Sequence, residues 1–225
     1  MAVPPLPHYR AKQVVVNRRR RYEVAGQHYP GVTTILSATK PPADRAALAQ
    51  WRQRVGVAEA QRIAGQASSV GTHLHQALAA HLRGEGSTLR DPVQPYWASM
   101  APVLAQVESA LLVEGAVWHS DGFVGFPDAL VQYDGQLCLC DWKTARKPKQ
   151  AAWIGDYFLQ LAAYWRAAEQ VYADQGIQVQ RGLIAIALAD APAQTFWLTP
   201  ADLDHYWTAF QRRLAQYQAR RGYLG

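Results

Sequence analysis

The stretch FPDALVQYDGQLCLCDWKT, residues 126–144, predicts a β-hairpin because two apolar runs flank Asp134-Gly135, a dipeptide favoured in tight two-residue turns. Counting outward from that turn along the ladder places Asp128 directly opposite Asp141. Side chains in directly opposed positions have Cβ atoms roughly 5 Å apart. The turn therefore predicts two carboxylates that face each other near the ends of the two strands.

These two carboxylates would repel each other, so the pattern indicates a positive group between them. Mg²⁺ or Mn²⁺ fits, because both cations prefer carboxylate oxygens. Lys143 follows Asp141 by two residues and shares its face of the strand, since strand side chains alternate. A metal held by Asp128 and Asp141 beside an ammonium could orient water and neutralise charge on an attacked phosphate. A surface hairpin with a salt bridge from Lys143 to one aspartate is the alternative explanation.

The whole chain predicts a single domain, residues 1–225, in which helices flank a mixed β-sheet. Its 225 residues are 49% hydrophobic, which is ample for one core. We expect residues 1–16 to be flexible, 43–112 to form a helical elaboration, 113–198 to contain the sheet and a long helix, and 199–221 to form a C-terminal helix. Within these regions the patterns predict a strand pair over 22–36 that turns at Ala25-Gly26, and helices over 43–55, 57–65, 92–112 and from Ser68 or Ser69 to Leu82.

The charge distribution favours a polyanionic partner. The formal net charge is +6, and three of the five lysines lie within residues 143–149. No apolar run approaches the roughly 20 residues that span a bilayer, and no secretory leader is recognisable, so we expect a soluble cytoplasmic protein without a membrane partner. Cys138 and Cys140 share one face of a strand and are expected to pack rather than to form a disulfide.

Four further residues could belong to the hairpin site. Glu114 precedes the hairpin and could add a carboxylate, although an exposed Glu is common at a strand start. His75 follows Gly71 by four residues in a predicted helix, where a lone histidine is more often at the surface. Gln160 and Tyr164 are four apart on the long helix and point the same way, although tyrosine at that spacing is usually in the core.

The order of these elements, Gly71-x-x-x-His75, Glu114, Pro127-Asp128, Asp141-x-Lys143 and Gln160-x-x-x-Tyr164, resembles the RecB-like branch of the PD-(D/E)xK nucleases. Within that branch the chain is similar to the mitochondrial genome maintenance exonucleases and their bacterial relatives over residues 29–217. The stretches that carry this likeness are GVTTIL, DWKTARKPK, QLAAYW, RGLIAIALAD and HYWTAFQRRLAQY.

The resemblance implies an α/β (α+β) fold with a restriction-endonuclease-like core and a Mg²⁺- or Mn²⁺-dependent exonuclease that acts on single-stranded DNA in DNA repair and maintenance. The implied metal-site residues are Asp128, Asp141, His75 and Glu114; Lys143 would orient or activate water, with Gln160 and Tyr164 supporting the site from the helix. His73 is a second histidine in the same helix, and only the spacing from Gly71 selects His75. Some members of the branch hold an iron–sulfur cluster with four cysteines, and the two cysteines of this chain exclude one.

The expected DNA contacts are basic and aromatic. We expect Arg52 and Arg54 to line the DNA path and the basic segment after the hairpin to contact phosphates, namely Arg146, Lys147 and Lys149. Trp51, Trp153, Trp165 and Tyr157 could stack bases if exposed. Other DNA repair proteins are candidate partners. The alternative function is a nucleic-acid-binding module without turnover, or the nuclease subunit of a larger complex; a site-specific endonuclease is a third.

Overall fold

The computed structural model of the protein describes residues 5–86, 89 and 91–222. Its strands are β1 (Lys12–Val16), β2 (Arg19–Val24), β3 (Gln27–Tyr29), β4 (Val107–Val113), β5 (Val117–His119), β6 (Phe123–Gly125), β7 (Ala129–Tyr133), β8 (Gln136–Ala145), β9 (Arg181–Leu188) and β10 (Gln194–Leu198). Its α-helices are α1 (Val32–Ala38), α2 (Pro42–Val55), α3 (Val57–Leu82), α4 (Gln94–Leu104), α5 (Gly155–Val171) and α6 (Pro200–Gly222).

The central sheet has five strands in the order β10-β9-β8-β7-β4. The pair β8–β9 is parallel and the other neighbours are antiparallel, so the predicted mixed sheet is confirmed. One face packs against α1, α5 and α6, and the other packs against α3 and α4. The fold is therefore the mixed α/β architecture expected of a restriction-endonuclease-like core.

The burial of strand β9 explains why RGLIAIALAD contains an unbroken apolar run from Gly182 to Leu188. Leu183 and Ala185 belong to the cluster under α3 and α4, whereas Ile184 and Ile186 belong to the cluster under α5 and α6. A strand with helices on both faces has no solvent side, and its sequence loses the polar alternation of a half-exposed strand. This burial fixes β9 as the support beside which β8 presents its functional residues.

The predicted helix over 92–112, and with it the predicted helical elaboration over 43–112, is wrong at residues 107–112. Helix α4 ends at Leu104, and the chain then forms β4 as an edge of the main sheet, paired with β7. Pairing with β7 satisfies the backbone hydrogen bonds of β4 and buries Leu111 and Leu112, which outweighs the weak local preference for helix.

The prediction of two helices within residues 57–82, with a break near Ser68 or Ser69, is wrong. These residues form one continuous helix of 26 residues, and neither serine acts as a cap. The predicted break between residues 55 and 57 is confirmed, since Gly56, with φ of 85°, separates α2 from α3. Residues 32–36 are also predicted as strand, but in the structure they form the start of helix α1.

The N-terminal region forms a second, three-stranded sheet in the order β1-β2-β3. The predicted turn at Ala25-Gly26 is confirmed, since both residues have positive φ between β2 and β3. The expectation that residues 1–16 are flexible is wrong for residues 5–16, because β1 pairs with β2 and Leu6 is buried in the main core. Residues 1–4 lie outside the described residues. Across the described ranges, no helix has the length and apolarity needed to cross a membrane.

Candidate active site

The β7–β8 hairpin has the register that the turn predicts. The paired positions run from Tyr133↔Gln136 to Ala129↔Cys140, and Asp134 and Gly135 have φ of 51° and 69° in the turn. The next pair outward in this register is Asp128 with Asp141. The structure therefore confirms the register from which the opposition of the two aspartates is predicted, although Asp128 itself lies one residue before β7.

Asp128 is held at the end of β7 by two elements. Its Oδ2 accepts a hydrogen bond from the backbone N–H of Trp142, at 2.6 Å, in the neighbouring strand. Its Oδ1 lies 2.7 Å from Nδ1 of His75, which α3 carries to the sheet. His73 points elsewhere, is exposed and lies 3.4 Å from the hydroxyl of Ser69. The choice of His75 over His73 agrees with this geometry.

Asp141 is almost fully buried, with 1% of its surface exposed. Its Oδ1 accepts a hydrogen bond from Nε2 of Gln160 at 3.1 Å, and Gln160 also donates to the hydroxyl oxygen of Tyr164 at 2.8 Å. Its Oδ2 forms an ion pair with Nζ of Lys143. Within the described part of the chain this oxygen has no well-directed hydrogen bond. The structure thus brings Asp128, Asp141, Lys143, His75 and the two helix residues into one connected group.

Burial and mutual charge determine the protonation of this group. Burial, together with the charge of Asp128, raises the pKa of Asp141 to about 6 against the attraction of Lys143. Burial opposes the charged forms of Lys143 and His75, yet the neighbouring carboxylates outweigh it and raise the pKa of both. The two carboxylates thus favour the protonated forms of Lys143 and His75.

Glu114 differs from its predicted place. It follows β4 with φ of 54°, and its backbone N–H donates to the carbonyl of Asp128 at 3.1 Å. Its carboxylate is half exposed and pairs with Arg83 at 3.1 Å. The structure therefore places the backbone of Glu114 at the site and directs its carboxylate to Arg83. The sequence does not indicate this role for Arg83, since nothing in its spacing distinguishes it from a surface arginine.

A divalent metal, which PD-(D/E)XK nucleases generally use, fits the donor chemistry of the aspartate pair. The buried Oδ2 of Asp141 lacks a directed hydrogen bond, and a second carboxylate faces it across the ladder. In the part of the chain that the structure describes, no three His, Cys, Asp or Glu side chains are arranged as a complete metal centre. The protein would thus supply Asp128 and Asp141, and oxygen atoms of water or substrate would complete the coordination.

A cleft of about 720 Å³ adjoins this group. Its lining comes from helices α2, α3, α4 and α5, and from the end of β8 with the segment that follows, starting at Thr144 next to Lys143 in the sequence. The lining includes Trp51, Ile63, Val70, Tyr96, Arg146, Lys147, Lys149 and Tyr157. The cleft therefore combines apolar and aromatic side chains from the helices with three cations from the segment after β8.

The predicted DNA contacts divide according to their exposure. Arg52 and Arg54 are exposed on the last turn of α2, next to Trp51 in the sequence but outside the cleft lining. Trp153 is 65% exposed, whereas Trp165 is only 4% exposed and is excluded as a base-stacking residue. Tyr157 lines the cleft, and its ring centroid lies 5.2 Å from Nζ of Lys143. Tyr157 thus also contacts the site, a role that its sequence position did not indicate.

The cysteines, as expected, serve packing. Cys138 and Cys140 are free thiols, fully buried on the face of β8 that packs against α3 and α4, with their Sγ atoms 3.8 Å apart.

Comparison with known proteins identifies the family. The sequence profile described as "PD-(D/E)XK nuclease superfamily" matches residues 38–221. The chain is 32% identical to mitochondrial genome maintenance exonuclease 1 of Mus musculus over 84% of its length, 32% identical to that of Xenopus tropicalis over 89%, and 30% identical to that of Homo sapiens over 85%. It spans 58–60% of the length of these relatives. The chain belongs to the PD-(D/E)XK nuclease superfamily.

Proposed function

We propose that this protein is a Mg²⁺- or Mn²⁺-dependent exonuclease that hydrolyses phosphodiester bonds of DNA, with a preference for single strands, in DNA repair and maintenance. The observation that carries the proposal is the convergence of Asp128, Asp141 and Lys143 next to a cleft with a basic lining. The names of the similar exonucleases support it. A cytoplasmic location and association with other DNA repair proteins remain predictions.

The side chains around the aspartates hold the metal-binding oxygens in place. His75 and the backbone of Trp142 fix the carboxylate of Asp128, and Gln160 fixes Oδ1 of Asp141. This arrangement leaves Oδ2 of Asp141 directed toward Lys143 and available to a cation. The bound metal would act as a Lewis acid and lower the pKa of a water molecule.

Lys143 has a separate role from the metal ligands. Its neighbouring carboxylates raise its pKa, so its ammonium remains charged at neutral pH in spite of burial. Nζ can therefore donate hydrogen bonds to the attacking water or to a phosphate oxygen as negative charge develops there. Nζ contacts Asp141, so the carboxylate that would hold the metal also holds the ammonium of Lys143 in place.

The lining of the cleft favours a single strand as the substrate. Arg146 and Lys147 can pair with phosphates, while Trp51, Tyr96 and Tyr157, which line the same cleft, can contact bases. Bases are free to make such contacts when they are not paired with a second strand. Arg52 and Arg54 would then contact the strand outside the cleft.

Digestion of oligonucleotides labelled separately at each end tests the proposed activity. We expect single strands to shorten progressively from an end when Mg²⁺ or Mn²⁺ is present, and Asp141→Asn and Lys143→Met to abolish this cleavage. His73→Gln is the control, because His73 lies on α3, the helix that carries His75, but outside the site. If the purified protein leaves both ends intact with either metal, the enzyme proposal is wrong.

The same assay separates the alternative functions. A nucleic-acid-binding module would bind DNA without cleaving it. A site-specific endonuclease would release discrete internal fragments from closed circular DNA. A nuclease subunit of a larger complex would cleave only after its partner is added. The set of Asp128, Asp141, Lys143 and Gln160 favours the enzyme, since a binding module has no use for a buried carboxylate next to a second one.

DNA affinity tests the proposed strand path. We expect Arg146→Ala/Lys147→Ala to weaken binding of single strands most, because these side chains line the cleft, and Arg52→Ala/Arg54→Ala to weaken it less. Each lost phosphate contact should reduce the salt dependence of single-strand binding by about 0.7 in log–log slope. Wild-type affinity in both double variants would contradict the path.

A further inference from the structure

The hairpin formed by β1 and β2 carries a basic surface that the proposed site does not use. Three consecutive arginines, Arg18, Arg19 and Arg20, occupy its turn and the start of β2, and all three are exposed. Among the described residues, none of the ion pairs involves these three side chains. We call these three residues the basic tip. Their guanidinium groups are therefore available to an external anion.

The basic tip lies on a tight turn at the end of the β1–β2 hairpin. Asn17 and Arg18 both have positive φ, 50° and 59°, as a tight two-residue turn requires. Val15 pairs directly with Arg20 and is 72% exposed, although it lies in the middle of a valine run. β1 packs chiefly on β2. The end of the hairpin is therefore a two-stranded ribbon that extends beyond the body of the domain.

The base of this ribbon is anchored beside the candidate active site. The ring of Tyr22 packs on Phe126 with their centroids 4.9 Å apart, and Phe126 precedes Asp128 by two residues. Val24 is buried against Ala116 and Val124. The direction of the ribbon is thus fixed relative to β7. Arg20 precedes Tyr22 by two residues and therefore lies on the same side of β2.

We propose that the basic tip binds the phosphate backbone of double-stranded DNA that adjoins the strand being cleaved, with the ribbon in a groove of the duplex. The major groove admits a two-stranded β-ribbon, and arginine pairs with phosphate oxygens through two parallel hydrogen bonds. A single strand offers no groove for the ribbon. The inference takes DNA from the proposed function, but it concerns a surface separate from the carboxylates.

Binding of a duplex closed by loops at both ends tests this inference, because such DNA offers no strand end to the cleft. The measurement is made with the full chain in EDTA, where the proposed nuclease is inactive. We expect Arg18→Ala/Arg19→Ala/Arg20→Ala to reduce the slope of log affinity against log salt by about 2.7, or about 0.9 per arginine. Arg18→Lys/Arg19→Lys/Arg20→Lys should keep most of that slope.

Two controls make the outcome specific. Arg212→Ala removes an exposed charge from α6 and should leave duplex binding unchanged. Cleavage of a free single strand by the triple alanine variant reports whether the protein is folded, and we expect it to be retained. Unchanged duplex affinity and salt slope in the triple variant would overturn the inference, as would an equal loss of affinity for single strands. It would also be overturned if the variant lost binding to anionic phosphatidylserine vesicles but kept binding to the duplex. Failure of cleavage in the wild type would count only against the proposed function.

Discussion

Gly125 is the position where a single methyl group should disturb the candidate site from a distance. A Cβ at residue 125 would lie 2.3 Å from Cδ1 and 2.6 Å from Cε1 of Tyr164. Carbon atoms pack at about 3.5 Å or more, so the ring of Tyr164 would have to move by about 1.2 Å in Gly125→Ala. Because Tyr164 is buried, it cannot move freely into solvent.

The displacement would reach Asp141 through Gln160. The hydroxyl of Tyr164 accepts a hydrogen bond from Gln160 at 2.8 Å, and a shift of this size would stretch that bond beyond hydrogen-bonding range. Overpacking costs about 1–3 kcal/mol and the lost hydrogen bond about 1 kcal/mol. We therefore expect Gly125→Ala to lower the unfolding free energy by roughly 2–4 kcal/mol and Tm by about 4–16 °C, with slower cleavage.

Gly71→Ala is the matched control for this prediction. A Cβ at residue 71 would lie 3.5 Å from Oγ1 of Thr144, which is an ordinary contact, and glycine inside a helix is about 1 kcal/mol less favourable than alanine. We expect Gly71→Ala to be as stable as the wild type or slightly more so in thermal unfolding. Equal Tm values for Gly125→Ala and the wild type, or equal damage by both substitutions, would refute the reasoning.

Three further predictions concern the site. Inserting one residue between Asp134 and Gly135 should shift the hairpin register and abolish metal-dependent cleavage while circular dichroism shows a folded protein; retained activity would show that the register is not essential. His75→Gln should slow cleavage more than His73→Gln, because only His75 contacts the aspartate pair, and equal rates would contradict that contact. Burial raises the pKa of Asp141 from 3.8 to about 6 when no metal is bound. In EDTA, the contribution of Asp141 to the unfolding free energy is therefore present below pH 3.8 and is lost as pH rises through about 6. Denaturant unfolding of the wild type should therefore show a loss of at most about 3 kcal/mol across this window, and Asp141→Asn should lack this step. The same pH dependence in both proteins would refute this assignment.

The sequence predicts the site more completely than it predicts the helices. The turn at Asp134-Gly135 determines the register, and alternation along β8 then places Asp141 and Lys143 on one face. These relations are local, so they can be counted along the chain. The spacing of Gln160 and Tyr164 is local in the same way, and both residues contact the site or each other as expected.

The errors arise where distant parts of the chain decide the structure. Residues 107–112 form β4 because β7 offers a strand edge, and no local pattern contains that information. The carboxylate of Glu114 pairs with Arg83, 31 positions earlier, instead of turning to the aspartates. Trp165 is a candidate for base stacking from the sequence alone, yet packing of α5 into the core buries it.

Binding of Mn²⁺, measured by titration calorimetry without DNA, tests most directly whether Asp128 and Asp141 form a metal site. We expect saturable binding in the wild type, loss of that binding in Asp128→Asn and in Asp141→Asn, and retention in Glu114→Gln, whose carboxylate pairs with Arg83. Undiminished Mn²⁺ binding in both aspartate variants would contradict the central claim.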